Sequence, residues 1–599
     1  MKVRNLFLVG SILLSIALLM SCAPTATTTP KTGAPTIVPV TTTPTVSQLT
    51  TRPSADWRDQ LGKPQYGGTL NWRVRTDPVS WDPYYGSDTV GFTFLYRDYG
   101  TKNGWGVDPK EAPYSGGFTP FDAREYQLVE SWEIVGNYET FIFHLRKGIR
   151  WQNKPPMNGR EFTAYDVEYG WHRMAGLGSG FTKGSPYVQW KGWDDIQYVK
   201  AIDKYTIEFK LKYSVPGLFM LTQMVYWEYP KEVQEQYGGL QDWRNQIGTG
   251  PFILKDYVAG SSATYNRNPD YWGYDERHPE NKLPYLDAVK LLVIPDQSTA
   301  EAALRTGKIA VLPGVLWDTS EAFTKSNPEI LQAVQPRQGF AVTMRIDRPP
   351  FTDIKVRKAL NMSIDRKKIA ETYYGGRVEG KPYSAYGPTT GPYYTPFEEW
   401  PEELKKGNAY DPAGAKKLLA EAGYPNGFKT NIAISGSDDL DLPQVVLKYF
   451  ADIGVDTELR ITEAAKFRNF VNVNKGHDQM VWSQVGPAPS GGYLPRFTSK
   501  MPVDNISMIN DKVLDELIDR EALYPFDSQE KISYNKQADM YAMALYLQAN
   551  LLPETAYTLY EPWLKGYSGQ SVTSISTGNA GYFARWWLDL GLMKSMGNR

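Results

Sequence analysis

Strand-like and helix-like segments alternate along this chain, and that alternation is the strongest constraint on its fold. Residues 67–74 and 138–145 alternate apolar and polar side chains in the manner of strands. Thr163, with an acidic residue three positions later, has the form of a capping box that opens a helix. A mixed order of this kind predicts an α/β body. Because single cores stop growing near roughly 250–300 residues, we expect a chain of 599 residues to form more than one lobe.

Four further segments are predicted to be helical from their capping residues and apolar spacing. Ser298 begins a second capping-box pattern, Asp365 has the position of an N-cap, and Asp411 precedes a proline at a first helical position. Residues 532–552 have the apolar spacing of one long amphipathic helix.

Composition and charge exclude several classes of protein. The chain carries 65 basic and 66 acidic residues, so it lacks the positive charge typical of nucleic-acid-binding proteins. A single cysteine, Cys22, excludes a disulfide framework and any cysteine-based metal site. The four histidines have no metal-binding spacing. We therefore expect no metal ion and no cofactor.

The first 22 residues have the form of an export signal. A short cationic start, residues 1–4, precedes an apolar run over residues 6–20. A run of about 15 residues is too short for a membrane span but suits a signal-peptide core. Ser21 and Cys22 at its end resemble the lipobox of bacterial lipoproteins, in which the cysteine is lipidated. An ordinary secretory signal with an incidental cysteine is the alternative.

Residues 23–65 form a stretch rich in threonine and proline, with no period that would bury one face. Since its prolines lack backbone donors, we predict an extended tether rather than a folded element. A lipid at Cys22 followed by a tether and a large body predicts an extracytoplasmic, membrane-anchored lipoprotein, in the periplasm or on the cell surface.

Segments of the body match, in order, the motifs of a known family. Trp81-Asp82-Pro83 belongs to the first of them. The matching segments are 77–83, 128–133, 141–151, 162–167, 247–252, 268–272, 284–287, 306–309, 351–360, 364–366 and 410–424. On these motifs the chain resembles the extracellular solute-binding proteins of family 5, a group of ABC importer components that includes oligopeptide-, dipeptide- and nickel-binding proteins.

This resemblance implies an α/β bilobal clamp like the periplasmic binding proteins of type II, with an extra middle domain. By analogy, lobe I takes residues 66–103, 231–338 and 560–599, the middle domain takes 104–230, and lobe III takes 339–559. A ligand would bind between lobes I and III and be buried by hinge closure. The implied partners are ABC permease and ATPase subunits, and we expect a monomer.

Peptides are the leading ligand class that the resemblance implies, and oligosaccharides are the alternative. Peptide binders of this family often carry an aspartate for the terminal ammonium in a loop that corresponds to residues 481–493 here. This stretch contains no carboxylate, and a buried ammonium without a partner is costly. Trp482 and Tyr493 can instead stack on a sugar ring or an apolar side chain.

The candidate ligand-binding residues are assigned by their loop positions in the two lobes. They are Tyr84, Tyr85 and Asp88 of lobe I and Tyr383, Tyr386, Trp482, Gln484 and Tyr493 of lobe III. A plain surface loop is the alternative for the lobe I residues, and core packing is the alternative for Trp482.

An exported glycoside hydrolase is the less favoured alternative to a binding protein. Such an enzyme needs two carboxylates about 5–5.5 Å or about 6.5–9.5 Å apart. The run from Asp438 to Asp441 supplies carboxylates, although their separation cannot be read from sequence. The chain contains no Gly-x-Ser-x-Gly elbow and no phosphate-binding loop. We therefore expect no enzymatic activity.

Overall fold

The structure is a computed structural model. It describes residues 56–78, 80–85, 90–106, 124–136, 138–178, 180–185, 195–212, 228–337, 339–484, 494–501, 503–525, 528–570 and 580–597. The predicted signal with Cys22, most of the predicted tether, Asp88 and Tyr493 lie outside these residues.

The strands and helices of the described residues follow in chain order. The strands are β1 (Thr69–Val74), β2 (Thr101–Asn103), β3 (Arg124–Tyr126), β4 (Val129–Val135), β5 (Thr140–Leu145), β6 (Ile196–Asp203), β7 (Thr206–Leu211), β8 (Phe252–Val258), β9 (Ser262–Arg267), β10 (Ala288–Val293), β11 (Val311–Val315), β12 (Leu331–Arg337), β13 (Phe340–Met344), β14 (Phe428–Ser435), β15 (Val455–Thr462), β16 (Met480–Gln484), β17 (Gln548–Asn550), β18 (Glu554–Tyr560), β19 (Leu564–Lys565) and β20 (Trp587–Leu588). The α-helices are α1 (Val90–Thr93), α2 (Ala164–Ala175), α3 (Lys231–Tyr237), α4 (Gln297–Arg305), α5 (Trp317–Ser326), α6 (Ile354–Met362), α7 (Arg366–Thr372), α8 (Glu402–Asn408), α9 (Pro412–Glu421), α10 (Asp441–Asp452), α11 (Ala464–Arg468), α12 (Lys512–Ala522), α13 (Gln529–Ala544), α14 (Ala580–Arg585) and α15 (Leu590–Ser595).

The residues predicted to form lobe I contribute to a four-stranded sheet of order β1-β10-β9-β8 and to a three-stranded sheet of order β11-β18-β12. The middle strand of the second sheet, β18, comes from the end of the segment predicted for lobe III but pairs with β11 and β12 of lobe I. In the first sheet β1 is parallel to β10, and β9 is antiparallel to both of its neighbours. Tryptophan side chains pack in its core: Trp72 of β1 stacks on Trp586, with the ring centroids 5.6 Å apart. The residues just before the C-terminus therefore pack against the first strand of the body.

The middle domain is an antiparallel sheet of order β4-β5-β7-β6 covered by α2. Trp171 of α2 packs edge-on against Phe209 of β7, with the ring centroids 5.1 Å apart. The backbone N–H of Thr163 donates to the Asp166 carboxylate at 2.8 Å. This is the reciprocal bond of a capping box, so the predicted start of this helix is confirmed.

Lobe III contains a five-stranded sheet of order β15-β14-β16-β13-β17. β14 is parallel to β15 and to β16, whereas β13 is antiparallel to β16 and to β17. Its largest apolar cluster includes Val342, Leu360, Phe450 and Trp482, all of which are buried. The sheet therefore mixes a parallel half with an antiparallel half.

Two predicted helix boundaries are wrong, and long-range or capping contacts explain both. The helix assigned to begin at Ser298 begins at Gln297, because Asp296 is the N-cap and accepts a hydrogen bond from the Thr299 N–H at 2.7 Å. The segment 532–552 is not one helix: α13 ends at Ala544, and residues 548–550 form β17, which pairs with β13 at the sheet edge. Tertiary pairing overrides the helical pattern there.

Candidate ligand-binding cleft

Lobe III is joined to lobe I by two neighbouring chain crossings. β12 and β18 are antiparallel partners in lobe I, from Leu331 opposite Tyr560 to Arg337 opposite Glu554. Each continues directly into the lobe III sheet, since β12 leads into β13 and β17 leads into β18. A pair of adjacent crossings of this kind is the arrangement expected of a hinge between two rigid lobes.

The two crossings touch at Gly339. The N–H of Leu551 donates to the carbonyl of Phe340 at 3.0 Å, which holds the two strands together. A Cβ atom built on Gly339 would lie 1.8 Å from the carbonyl oxygen of Leu552. Only glycine fits at such a separation, so this residue allows the close approach of the two crossings.

The carboxyl ends of parallel strands define where a ligand can bind. In open α/β sheets, ligands bind in the crevice outside these ends. In lobe I this rule selects the loop that follows β1, and in lobe III it selects the loops that follow β14 and β16. The loop after β16 begins at residue 485 and lies outside the described residues.

Side chains beside the hinge connect the two lobes. Trp317 of α5 donates from Nε1 to the carbonyl of Tyr373 in lobe III at 2.8 Å. Arg377 and Glu321 approach each other across the same boundary at 3.6 Å. The hydroxyl of Tyr373 donates to Asp439 at 2.8 Å, which places the loop after β14 next to this boundary.

Asp438 is the half-buried carboxylate of that loop. Burial raises its pKa, and that rise is partly offset by a hydrogen bond with the backbone of Ser435 and, more weakly, by the guanidinium of Arg75 in the turn after β1. Among the described residues, no cationic side chain forms an ion pair with Asp438. The loop after β14 therefore carries a half-buried carboxylate, Asp438, on which Arg75 of the loop after β1 acts from the other lobe.

The predicted lobe I residues lie in the loop after β1. Tyr84 is half-buried, and its hydroxyl donates toward the carbonyls of Lys183 and Gly184, both at 3.2 Å. The guanidinium of Arg173 lies over the Tyr84 ring, 4.5 Å from the centroid. Tyr85 is 44% exposed beside it. Tyr84 thus ties the loop to the middle domain, and its contact with a ligand stays a prediction.

Three of the predicted lobe III residues, Tyr383, Tyr386 and Trp482, are buried in two separate clusters. Tyr383 and Tyr386 lie together, and the Tyr386 hydroxyl accepts a hydrogen bond from Asn535 of α13 at 2.7 Å. Trp482 is 1% exposed in the other cluster and stacks on Phe340, with the ring centroids 5.4 Å apart. This packing favours the core alternative for Trp482. Ligand contact by these residues and by Gln484, the last residue of β16, stays a prediction.

Sequence reasoning missed Asp438 and Arg75 as cleft residues. The sequence presents Asp438 as part of an acidic run, and Arg75 is not among the candidate ligand-binding residues. Position was the available signal for Arg75, which directly follows the strand predicted over residues 67–74, since carboxyl ends of parallel strands meet at the ligand side of a sheet. No strand is predicted before Asp438, so the sequence offered no such signal there. Strand direction, however, depends on pairing with distant strands.

The described part of the chain contains neither a metal-binding cluster nor a membrane-spanning helix. No group of three or more histidine, cysteine, aspartate or glutamate side chains there is arranged to hold a metal ion. Helices of the same residues are too short or too polar to cross a membrane.

Comparison with known proteins decides the family. The family model described as bacterial extracellular solute-binding proteins, family 5 middle, matches residues 124–501. The chain belongs to this family. The predicted resemblance and the bilobal clamp fold are thereby confirmed. Because family 5 consists of binding proteins, the protein is not an enzyme, and the glycoside hydrolase alternative is wrong.

Individual relatives cover most of the body. Heme-binding protein A of Haemophilus influenzae is 27% identical over 468 residues, which are 74% of this chain and 81% of that protein. The dipeptide-binding protein of Escherichia coli is 25% identical over 469 residues, 74% of this chain and 83% of that protein. Among solved structures, the periplasmic binding protein DppA from Helicobacter pylori in complex with the peptide STSA has a TM-score of 0.72 at 23% identity, covering 88% of this chain and 99% of that one.

Proposed function

We propose that this family 5 protein captures short peptides outside the cytoplasm and delivers them to the permease and ATPase subunits of an ABC importer, while a lipid on Cys22 anchors it to the membrane. The observation that carries the proposal is the hinge at Gly339, which joins two lobes through a pair of adjacent crossings. Closure about such a hinge removes a ligand from water and gives the protein a second shape that a permease can distinguish.

Peptides are the favoured ligand class. One relative is named for dipeptides, and a structure with the same fold holds the peptide STSA. None of the relatives described above is named for an oligosaccharide. A peptide with a free N-terminus carries a positive end, which the carboxylate of Asp438 complements.

Asp438 is the proposed partner of the peptide ammonium. The loop 481–493 has no carboxylate, so a peptide's terminal ammonium needs an acceptor elsewhere. Asp438 lies at the carboxyl end of β14, is half-buried, and forms no ion pair with the described residues. A charge-assisted hydrogen bond from an ammonium would compensate the burial that raises the pKa of this carboxyl.

A thermal-shift titration tests the proposal. Tri- to pentapeptides with free N-termini would be compared with their N-acetylated forms and with cello-, xylo- and malto-oligosaccharides. A ligand that binds only the folded protein stabilises it by about 2.7 kcal/mol at a hundredfold excess over Kd. We expect this stabilisation from free peptides and a much smaller one from acetylated peptides.

Asp438→Asn should weaken the binding of free peptides about tenfold or more, since a hydrogen bond to a charged group is worth about 1.5–3 kcal/mol. Asp456→Asn is the matched control, because Asp456 lies near the amino end of the neighbouring strand β15, at the end of the strands opposite to Asp438, and pairs with Lys429 at 3.1 Å. Stabilisation by sugars alone would refute peptides as the ligand class. Equal binding of free and acetylated peptides would refute Asp438 as the partner of the ammonium, while peptides would remain the ligand class.

A further inference from the structure

A second cavity lies away from the cleft, at the seam between lobe I and the middle domain. It has a volume of about 160 Å³. Arg146, which follows β5 of the middle domain, lines one side, and Trp272 and Arg585 of lobe I line the other. Tyr126, Tyr271 and Tyr274 are also among the residues that line it.

Of the charged side chains that line this cavity, Arg146 is the one without an ion-pair partner among the described residues. Arg585 pairs with Glu125 at 2.5 Å and with Glu276 at 2.8 Å, so its charge is compensated. Arg146 donates from Nε to the carbonyl of Gln127 at 3.1 Å, and no carboxylate of the described residues pairs with its guanidinium. Arg146 is therefore the group in this wall that can accept an anionic partner.

Neighbouring side chains hold Arg146 in place. Its guanidinium lies 5.1 Å from the centroid of the Trp272 ring, within the range of a cation–π interaction. Trp272 is itself held by a hydrogen bond from Nε1 to the buried Asp98 at 2.8 Å. The Asp98 carboxylate also accepts from the Thr249 hydroxyl at 2.9 Å, so donors offset its charge behind the cavity floor. Such fixed donors lose little entropy when a ligand binds.

Size and wall chemistry select the ligand class. A cavity of about 150 Å³ is large enough to hold benzene, so the space suits one ring rather than a drug-sized molecule. The aromatic residues of the wall favour a ring, since offset-stacked or edge-to-face aromatic pairs attract each other beyond the area that they bury. A guanidinium matches a carboxylate through two parallel hydrogen bonds.

We propose that this cavity is a second binding site, which takes a small aromatic carboxylate. The carboxylate pairs with Arg146, and the ring packs against the tyrosine side chains of the wall. Because the walls come from lobe I and from the middle domain, a bound molecule connects these two parts of the protein. The site is separate from the peptide cleft, so it does not depend on the proposed function.

Ligand-observed saturation-transfer NMR with benzoate tests the proposal. Benzamide, which has the same shape without the charge, and acetate, which has the charge without the ring, are the comparison ligands. We expect benzoate to bind the wild-type protein at least about tenfold more tightly than benzamide, given the strength of hydrogen bonds to charged groups. Arg146→Met should remove this difference.

Arg244→Met is the matched control. The Arg244 guanidinium lies 5.0 Å from the Trp243 ring centroid, as Arg146 does over Trp272, but Arg244 pairs with Asp242 at 3.1 Å. It should leave benzoate binding unchanged. Tyr274→Ala removes a wall residue that is 56% exposed and should weaken benzoate without unfolding the protein.

Three results would overturn the proposal. One is the absence of saturation transfer to benzoate at a concentration on the order of 10 mM, which corresponds to a binding free energy weaker than about 3 kcal/mol. Another is unchanged benzoate binding in both Arg146→Met and Tyr274→Ala. The third is displacement of benzoate by the peptide that binds the cleft, which would place benzoate in the cleft instead.

Discussion

Replacing Gly339 by alanine should destabilise the protein at its hinge. The added Cβ would lie 1.8 Å from the carbonyl oxygen of Leu552, whereas ordinary contacts of this kind are near 3.5 Å. The obstacle is backbone, so the two crossings must separate. Separation strains the hydrogen bond from the Leu551 N–H to the Phe340 carbonyl, which is 3.0 Å long.

The magnitude follows from two costs. Overpacking costs about 1–3 kcal/mol, and the lost backbone hydrogen bond adds about 1 kcal/mol. We therefore expect Gly339→Ala to lower the free energy of unfolding by about 2–4 kcal/mol in a urea titration. We also expect it to impair the peptide-induced decrease in radius of gyration, measured by small-angle X-ray scattering.

Gly591→Ala is the control, because a Cβ there would meet only the Asp589 carboxylate, at 3.5 Å. It should be neutral or slightly stabilising, since Gly591 lies in helix α15. If Gly339→Ala unfolds at the same urea concentration as the wild type and still closes on peptide, the two crossings do not constrain each other and the hinge assignment fails.

Two further predictions concern buried groups of lobe III. Trp482→Ala should cost about 3–5 kcal/mol of stability, because the ring is 1% exposed and packed on Phe340; a loss of ligand affinity with stability unchanged would instead support ligand contact. Burial raises the pKa of Asp539 to about 7. Between about pH 4 and about pH 7 this carboxyl is therefore protonated in the folded state and ionised in the unfolded state, so the free energy of unfolding should fall as the pH rises through this range. Asp539→Asn should flatten that slope and stabilise the protein at pH 7 and above. Urea denaturation measured across this pH range would show both effects. If the variant keeps the wild-type slope, Asp539 is not the cause of the pH dependence.

Local features were predictable wherever the cause lies within one turn of chain. The Thr163 capping box and the Asp365 N-cap were read from spacing, and both carboxylate contacts are present, from the Thr163 N–H to Asp166 at 2.8 Å and from the Lys368 N–H to Asp365 at 2.9 Å. The helical pattern over residues 532–552 gave a wrong prediction for its last residues, which form β17. The pairing of β17 with β13 depends on a distant strand and not on the segment itself.

The predicted ligand-binding residues were harder to assign than the helix caps, because the burial of a side chain depends on the tertiary structure. An aromatic residue such as Trp482 can serve a cleft or a core with the same sequence pattern, and its neighbours across the sheet decide which. Only the packing shows that Trp482 lies on Phe340 within the lobe III cluster. Asp438, by contrast, looked like an ordinary acidic surface residue until the direction of β14 placed it beside the other lobe.

The sequence by itself determined the class of fold, the family motifs, the predicted export signal and the absence of a disulfide framework, since each depends on residue identity or short spacing. The tertiary structure decided which surfaces meet. Gly339 lies against Leu552, and Arg585 pairs with Glu125 across 460 positions of sequence. Such contacts arise from the pairing of distant strands, whose partners no local pattern specifies, and both the hinge and the second cavity depend on them.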